Sequence, residues 1–272
     1  MMLGISKLGL FWDLKFGVWI FSRCCFSGFW ILMLGSFCAL ATSPDLKSIT
    51  PPGGQRGTEL EIILNGERLE DAQEIINYEP GFEILKLNSV TNITVKAQVK
   101  ISSDCPLGEH HLRLRTRGGL SALRTFQVGP FPVVAREEIK NDQRKAQRVA
   151  LDTTISGAIR EEDMDSFEVE ARKGQRISAE VEGMRLGRGV FDPRLVVLDP
   201  KGAVLADVED TWLGIQDPFI SFRAPEDGIF TFQLRARTCA GNDKCQYLLH
   251  IGSFPRPSMV TPLAGRLAKR SP

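Results

Sequence analysis

The sequence predicts an all-β protein in which two β-sandwich domains follow an N-terminal hydrophobic leader helix. Three observations predict it. From residue 45 onward, apolar and polar residues alternate in short runs, and helical periodicity is almost absent. The runs are separated by turn pairs such as Asn65-Gly66, Gly118-Gly119 and Asp199-Pro200, at the regular spacing of short strands in a sandwich or jelly roll. The composition also shifts along the chain, dividing it into 1–41, 45–129, 130–149, 150–252 and 253–272.

Residues 1–41 read as a targeting segment. Lys7, Lys15 and Arg23 precede 18 uncharged residues, Cys24 to Ala41. Ala39-Leu40-Ala41 fits the small-x-small rule for signal cleavage, with the mature chain starting at Thr42. The alternative is an uncleaved membrane anchor, since such a run is just long enough to span a bilayer. Both place the rest of the chain outside the cytoplasm: periplasmic, at the cell surface or secreted.

Residues 45–129 form the first domain. Pro51-Pro52-Gly53-Gly54 is a turn. Thr58 to Leu64 alternates with Leu60, Ile62 and Leu64 on one face, and Asn65-Gly66 is expected to end that strand. Phe82 to Leu87, Ile93 to Ile101, His111 to Arg117 and Ser121 to Val128 continue the pattern. Ile49-Thr50-Pro51-Pro52-Gly53-Gly54-Gln55-Arg56-Gly57-Thr58 resembles the opening of an IPT/TIG immunoglobulin-like domain. Cys105-Pro106-Leu107-Gly108-Glu109-His110-His111-Leu112 resembles that family's later turn and strand. The resemblance implies an immunoglobulin-like sandwich with a recognition or spacing role and no chemistry.

Residues 130–149 are a proline- and charge-rich linker and lead-in. Residues 150–252 form the second domain. Ile155, Ile159, Phe167 and Val169 are strand positions, Ile177, Ala179 and Val181 point inward, and Leu195 to Leu198 is apolar throughout. Ile220 to Phe222, Ile229 to Leu234 and Tyr247 to Ile251 complete about eight antiparallel strands. This segment resembles the bacterial pre-peptidase C-terminal (PPC) domain. The resemblance is carried by Glu138, Asn141-Asp142 and Ala146-Gln147-Arg148-Val149 as lead-in, then Gly157, Asp163, Asp165, Phe167, Lys173-Gly174-Gln175, Asp192-Pro193, Ala224-Pro225, Asp227-Gly228 and Tyr247. It implies a jelly-roll-like sandwich. The order of leader, IPT/TIG-like module and PPC-like domain resembles exported multidomain proteins of planctomycete-type bacteria. The tail, 253–272, carries Val260-Thr261-Pro262-Leu263-Ala264-Gly265-Arg266, which echoes the stretch from Ile49 and reads as the start of a truncated repeat.

Charge argues against two partner classes. Lys and Arg number 34 against 33 Asp and Glu; without the leader the balance is 31 to 32. No field exists to gather nucleic acid or an anionic membrane surface, so any membrane contact is expected only through the N-terminal segment. Cys239 and Cys245 flank a turn-rich loop, and in an exported chain they are candidates for a disulfide closing that hairpin, with two free thiols as the alternative. Cys105 is left over and reads as a small packed residue. No catalytic group is expected. His110, His111 and His250 are the only histidines beyond the leader; all lie on or beside strands, and no Gly-x-Ser-x-Gly elbow occurs.

Two candidate sites remain. The acidic loop Glu161-Glu162-Asp163-Met164-Asp165 offers oxygen ligands of the kind calcium takes. The residues themselves require no cofactor, and calcium is the ion the resemblance admits. In related collagen-binding domains of clostridial collagenases, calcium is held by a lead-in and this loop. That correspondence gives Glu137, Asn141, Asp142, Glu162 and Asp165 as the set, with Ile139 standing where a second lead-in acid would be. Trp212 and Phe219 flank a loop and are candidates for a ligand surface. The expected function is an exported, non-catalytic accessory module that binds an extracellular protein or polysaccharide, or spaces a partner domain. The alternative is a fragment of a secreted peptidase whose catalytic domain is not in this chain.

Overall fold

A computed structural model describes residues 43–137, 146–189, 191–211, 216–237, 241–242 and 244–256. The leader and the repeat-like tail beyond Arg256 lie outside the described residues. Among those described, no helix is long and apolar enough to cross a membrane.

The first sandwich is built from β1 (Asp45–Thr50), β2 (Gly53–Gln55), β3 (Glu59–Glu67), β4 (Ala72–Asn77), β5 (Phe82–Val90), β6 (Thr94–Ile101), β7 (Gly108–Thr116), β8 (Gly119–Leu120) and β9 (Arg124–Gly129). One sheet has the order β1-β3-β6-β5. The other runs β2-β9-β7-β4, with β8 paired to β7. The alternation read from the sequence sets the register. Ile62 lies opposite Ala97 and Leu64 opposite Val95, and all four are fully buried with Leu112, Leu114 and Phe126. Each such aliphatic or aromatic side chain contributes roughly 1.5–3 kcal/mol by leaving water.

One expectation is corrected here. Asn65-Gly66 does not end its strand; β3 continues to Glu67. Its partner β1 is irregular between Leu46 and Ser48, which brings the Asp45 carbonyl against Gly66. A β-carbon at Gly66 would lie 2.1 Å from that oxygen. The glycine therefore serves close backbone approach inside a strand rather than a hairpin.

The second sandwich contains β10 (Val133–Ala135), β11 (Gln147–Arg148), β12 (Thr153–Ala158), β13 (Met164–Ala171), β14 (Arg176–Glu182), β15 (Pro193–Leu198), β16 (Val204–Val208), β17 (Phe219–Arg223), β18 (Gly228–Ala236) and β19 (Gln246–Gly252), plus one 3-10 turn at Met184–Leu186. Its two five-stranded sheets have the orders β10-β12-β19-β14-β17 and β11-β13-β18-β15-β16. Ile155, Phe167, Ile177, Val181, Leu195, Phe230, Phe232 and Tyr247 fill the space between them. The described residues are thus all-β. Among them pairing is antiparallel except at three edges, where β2 runs parallel to β9, β10 to β12 and β11 to β13. The stretch 130–149 supplies two of these edge strands.

Candidate functional site

The described residues form one compact unit with two separate cores, so the surface between the cores is part of the structure. Arg188 crosses it. The residue sits between Gly187, which adopts a φ of 63°, and Gly189, and this loop carries the guanidinium into the first sandwich. There Nη1 donates to the Ile49 carbonyl at 2.5 Å, and on its own side of the junction to Gln246 Oε1 at 2.7 Å. No carboxylate among the described residues pairs with it. Burial, with Arg124 nearby, pushes its pKa down to about 10, the direction expected of a desolvated cation without a counter-ion. Thr125 Oγ1 donates to the Leu186 carbonyl at 3.2 Å. Gln127 Nε2 donates to Glu182 Oε1 at 3.0 Å.

The loop that presents Leu186 and Arg188 is itself anchored from below. Asp217 is buried. Its Oδ1 accepts the N–H groups of Gly183 and Met184 at 3.1 and 2.8 Å, and its Oδ2 accepts those of Arg185 and its Nε at 3.2 and 2.9 Å. A carboxylate with four donors satisfies the otherwise open amides of the 3-10 turn.

Beside these contacts lies a cleft of about 680 Å³, within the range of ligand-binding cavities. One wall is β2 with Pro51, Pro52 and Glu61. The other is β10, Ser156 to Ala158 on β12, and Gln246. Among the described lining residues Glu61 is the sole ionisable side chain, and no His, Cys or aromatic residue is present. Such a surface can bind, and its one carboxylate stands without a His, Cys or second ionisable side chain among the described lining residues.

A second hollow of about 200 Å³ is lined by Leu107, Phe131, Phe254, Glu180, Glu182 and His250, among others. His250 is buried; its Nδ1 is 2.8 Å from Thr154 Oγ1 and its Nε2 is 3.6 Å from Glu182 Oε1. Burial pushes Glu182 up. The facing His250, with the positive charges of Arg185 and Arg256, outweighs burial and holds the carboxyl below its usual range. Thr154 is buried under this pair, so the hydroxyl is not presented to a substrate.

The acidic loop is arranged around an arginine. The Arg136 Nε contacts Asp165 Oδ1, and its Nη2 donates to Asp163 Oδ2 at 2.6 Å. Tyr247 Oη donates to Asp165 Oδ2 at 2.6 Å. Burial pushes Asp165 up to about 6, against the opposing pull of Tyr247 and Arg136. Of the set given by the resemblance, Glu137 and Glu162 are exposed, and Asn141 and Asp142, with Ile139, lie outside the described residues. Among the described residues no three His, Cys, Asp or Glu side chains come together as a metal cluster.

Trp212 lies outside the described residues. Phe219 is half-buried, with its ring 6.5 Å from that of Phe254 and the Arg256 guanidinium 5.2 Å above it. Cys239 is also outside the described residues, and Cys245 is buried in the second core. Cys105 and His110 do meet, with Sγ 3.6 Å from Nε2. Both are buried, and burial, with Asp104 nearby, pushes the thiol up. A closed, protonated thiol is no nucleophile.

Sequence reasoning did not identify Arg136, Arg188, Asp217 or the edges of β2 and β10. Glycines on both sides of Arg188 were the available signal for a loop that projects one side chain. Arg136 opens a run of charges that reads as solvated, and nothing local marks its two aspartate partners.

No protein-family profile matches the chain, and no curated protein matches it. Solved structures do. The chain is similar to the pre-peptidase C-terminal domain of collagenase from Bacillus anthracis, at 16% identity over 41% of this chain and 99% of that one, with a TM-score of 0.34. It is similar to PliG from Aeromonas hydrophila, a periplasmic inhibitor of g-type lysozyme, at 14% identity over 40% and 96%, TM-score 0.30. It is also similar to SGBP-B of the Bacteroides ovatus mixed-linkage glucan utilization locus, at 10% identity over 77% and 52%, TM-score 0.27.

Proposed function

We propose that this chain is an exported, non-catalytic binding module whose ligand occupies the cleft between the two sandwiches. The observation that carries the reading is the junction itself. Side chains from both sandwiches hold it, and the cleft beside it presents hydroxyls, amides, backbone and a single carboxylate, Glu61. Export rests on the leader: a charged start, a long uncharged run and Ala39-Leu40-Ala41. The ligand class is extracellular protein or polysaccharide. Calcium at the acidic loop is a separate proposal. It requires Asn141 and Asp142 to add to Asp165, and it competes with Arg136 for that carboxylate.

The module reading is tested with the chain produced from Thr42. We expect no cleavage of casein; steady hydrolysis that co-purifies with the chain would replace it with the peptidase reading. Produced with its own leader in a bacterial host, the chain is expected outside the cytoplasm beginning at Thr42, or membrane-bound if the leader is kept. Recovery of the full-length chain from the soluble cytoplasm would remove export. For calcium, a melting midpoint unchanged between chelator and millimolar calcium removes the ion.

A further inference from the structure

The ligand class follows from which atoms of the cleft remain open, and this step rests on the binding-module reading above. Gln127 N–H donates to the Pro52 carbonyl and Arg56 N–H to the Gly129 carbonyl, so Pro52, Gly54 and Arg56 face β9. Successive residues of a strand point their peptide groups to opposite sides. Gly53 and Gln55 therefore face away from β9. On β10, Thr154 N–H donates to the Pro132 carbonyl and Arg136 N–H to the Ser156 carbonyl. Val133 and Ala135 face away from β12.

Two of these outward groups are already taken, because Thr58 Oγ1 donates to the Gln55 carbonyl and Gln147 Nε2 to the Ala135 carbonyl. The amides of Gly53, Gln55, Val133 and Ala135 and the carbonyls of Gly53 and Val133 have no partner among the described residues. Gly53 is nevertheless buried, and buried peptide groups are almost always paired. Two strand edges thus border one cleft with alternating free donors and acceptors, the arrangement to which an extended chain adds as a further strand. A pyranose offers its apolar face to aromatic rings, and none lines this cleft among the described residues.

We propose that the cleft binds an extended polypeptide segment by strand pairing to the β2 or β10 edge, with a preference for a basic residue opposite Glu61. That carboxylate is the sole charge among the described lining residues, so it sets the sign of the preference. The occupant is a segment of another protein, held through its main chain and selected weakly by side chain.

The test uses the chain from Thr42 and follows the four open amides by NMR. The probe is an equimolar library of blocked random hexapeptides at millimolar total concentration. A second library is N-methylated at alternate residues, and a mixed-linkage glucan heptasaccharide serves as the sugar arm. The expected result is shifts at Gly53, Gln55, Val133 and Ala135 with the first library and about tenfold weaker binding of the methylated one, the size of one or two lost hydrogen bonds. Lysine-containing pools should bind more tightly than aspartate-containing pools, and Glu61→Lys should reverse that order. Val133→Pro removes one outward N–H and leaves the ladder to β12 intact. It should keep the melting midpoint and lose about tenfold in affinity. Equal binding of the methylated library overturns strand pairing. Shifts with the heptasaccharide alone overturn the polypeptide but keep the cleft as a binding site. No shift with either probe overturns both readings. If Val133→Pro fails to fold, the methylated library still decides.

Discussion

Asp165 and Asp217 are both buried carboxylates, and their surroundings give them different roles. Asp217 meets four donors. Asp217→Ala should lower the free energy of unfolding by about 3 kcal/mol, because the Arg185 guanidinium and three amides lose their acceptor. Denaturant melts check this; a change within about 0.5 kcal/mol would contradict it. Asp165 is instead a group whose ionisation is resisted. The folded chain keeps its proton up to about pH 6, whereas an unfolded aspartate releases it near pH 4. The folded state therefore binds more protons in that window, and the contribution of Asp165 to stability falls as pH rises from about 4 to 6. The wild-type melting midpoint, relative to that of Asp165→Asn, should decline across this window; parallel curves would refute the assignment. Glu182, held low, acts in the opposite sense at more acid pH: its stabilisation is present above the ordinary carboxylate range and fades below it.

At the scale of elements, strands were legible wherever burial alternates. Leu112 and Leu114, or Ile177 and Val181, are buried as their spacing requires. Asn65-Gly66 misleads because that pair is the strongest short-range hairpin signal, yet the deciding contact is between Gly66 and the carbonyl of Asp45, distant in sequence and irregularly paired. Gly66→Ala should cost roughly 1–3 kcal/mol by overpacking against backbone; a neutral effect on thermal unfolding would show that β1 can move aside. The parallel edges β2, β10 and β11 were not legible either. Each is two or three residues long, too short for a period, and each pairs with a distant partner. The cleft shares that difficulty. It is made of peptide groups left over at two edges, and peptide groups carry no sequence. The acidic loop could be seen as acidic, but its arginine partner could be found only through the fold, since Arg136 lies in a stretch where charge ordinarily means solvent.

For the whole molecule, the decisive feature is that two cores are tied through a few polar contacts. Arg188→Ala combined with Gln127→Ala removes the links between the sandwiches to Ile49, Thr125 and Glu182, and is expected to split one calorimetric unfolding transition into two, one for each sandwich. A single unchanged transition would mean that the apolar parts of the junction suffice. Tyr247 makes the two events separately visible. The chain has two tyrosines; Tyr78 is exposed in the first sandwich, whereas Tyr247 is fully enclosed in the second, standing over Gly157, where a β-carbon would lie 2.5 Å from its hydroxyl. Burial, with Asp165 as neighbour, pushes the Tyr247 phenol far up. In alkaline solution its share of the phenolate absorbance therefore appears only as the second sandwich opens, so an ordinary spectrophotometer can time the loss of one half of the molecule without any attached label.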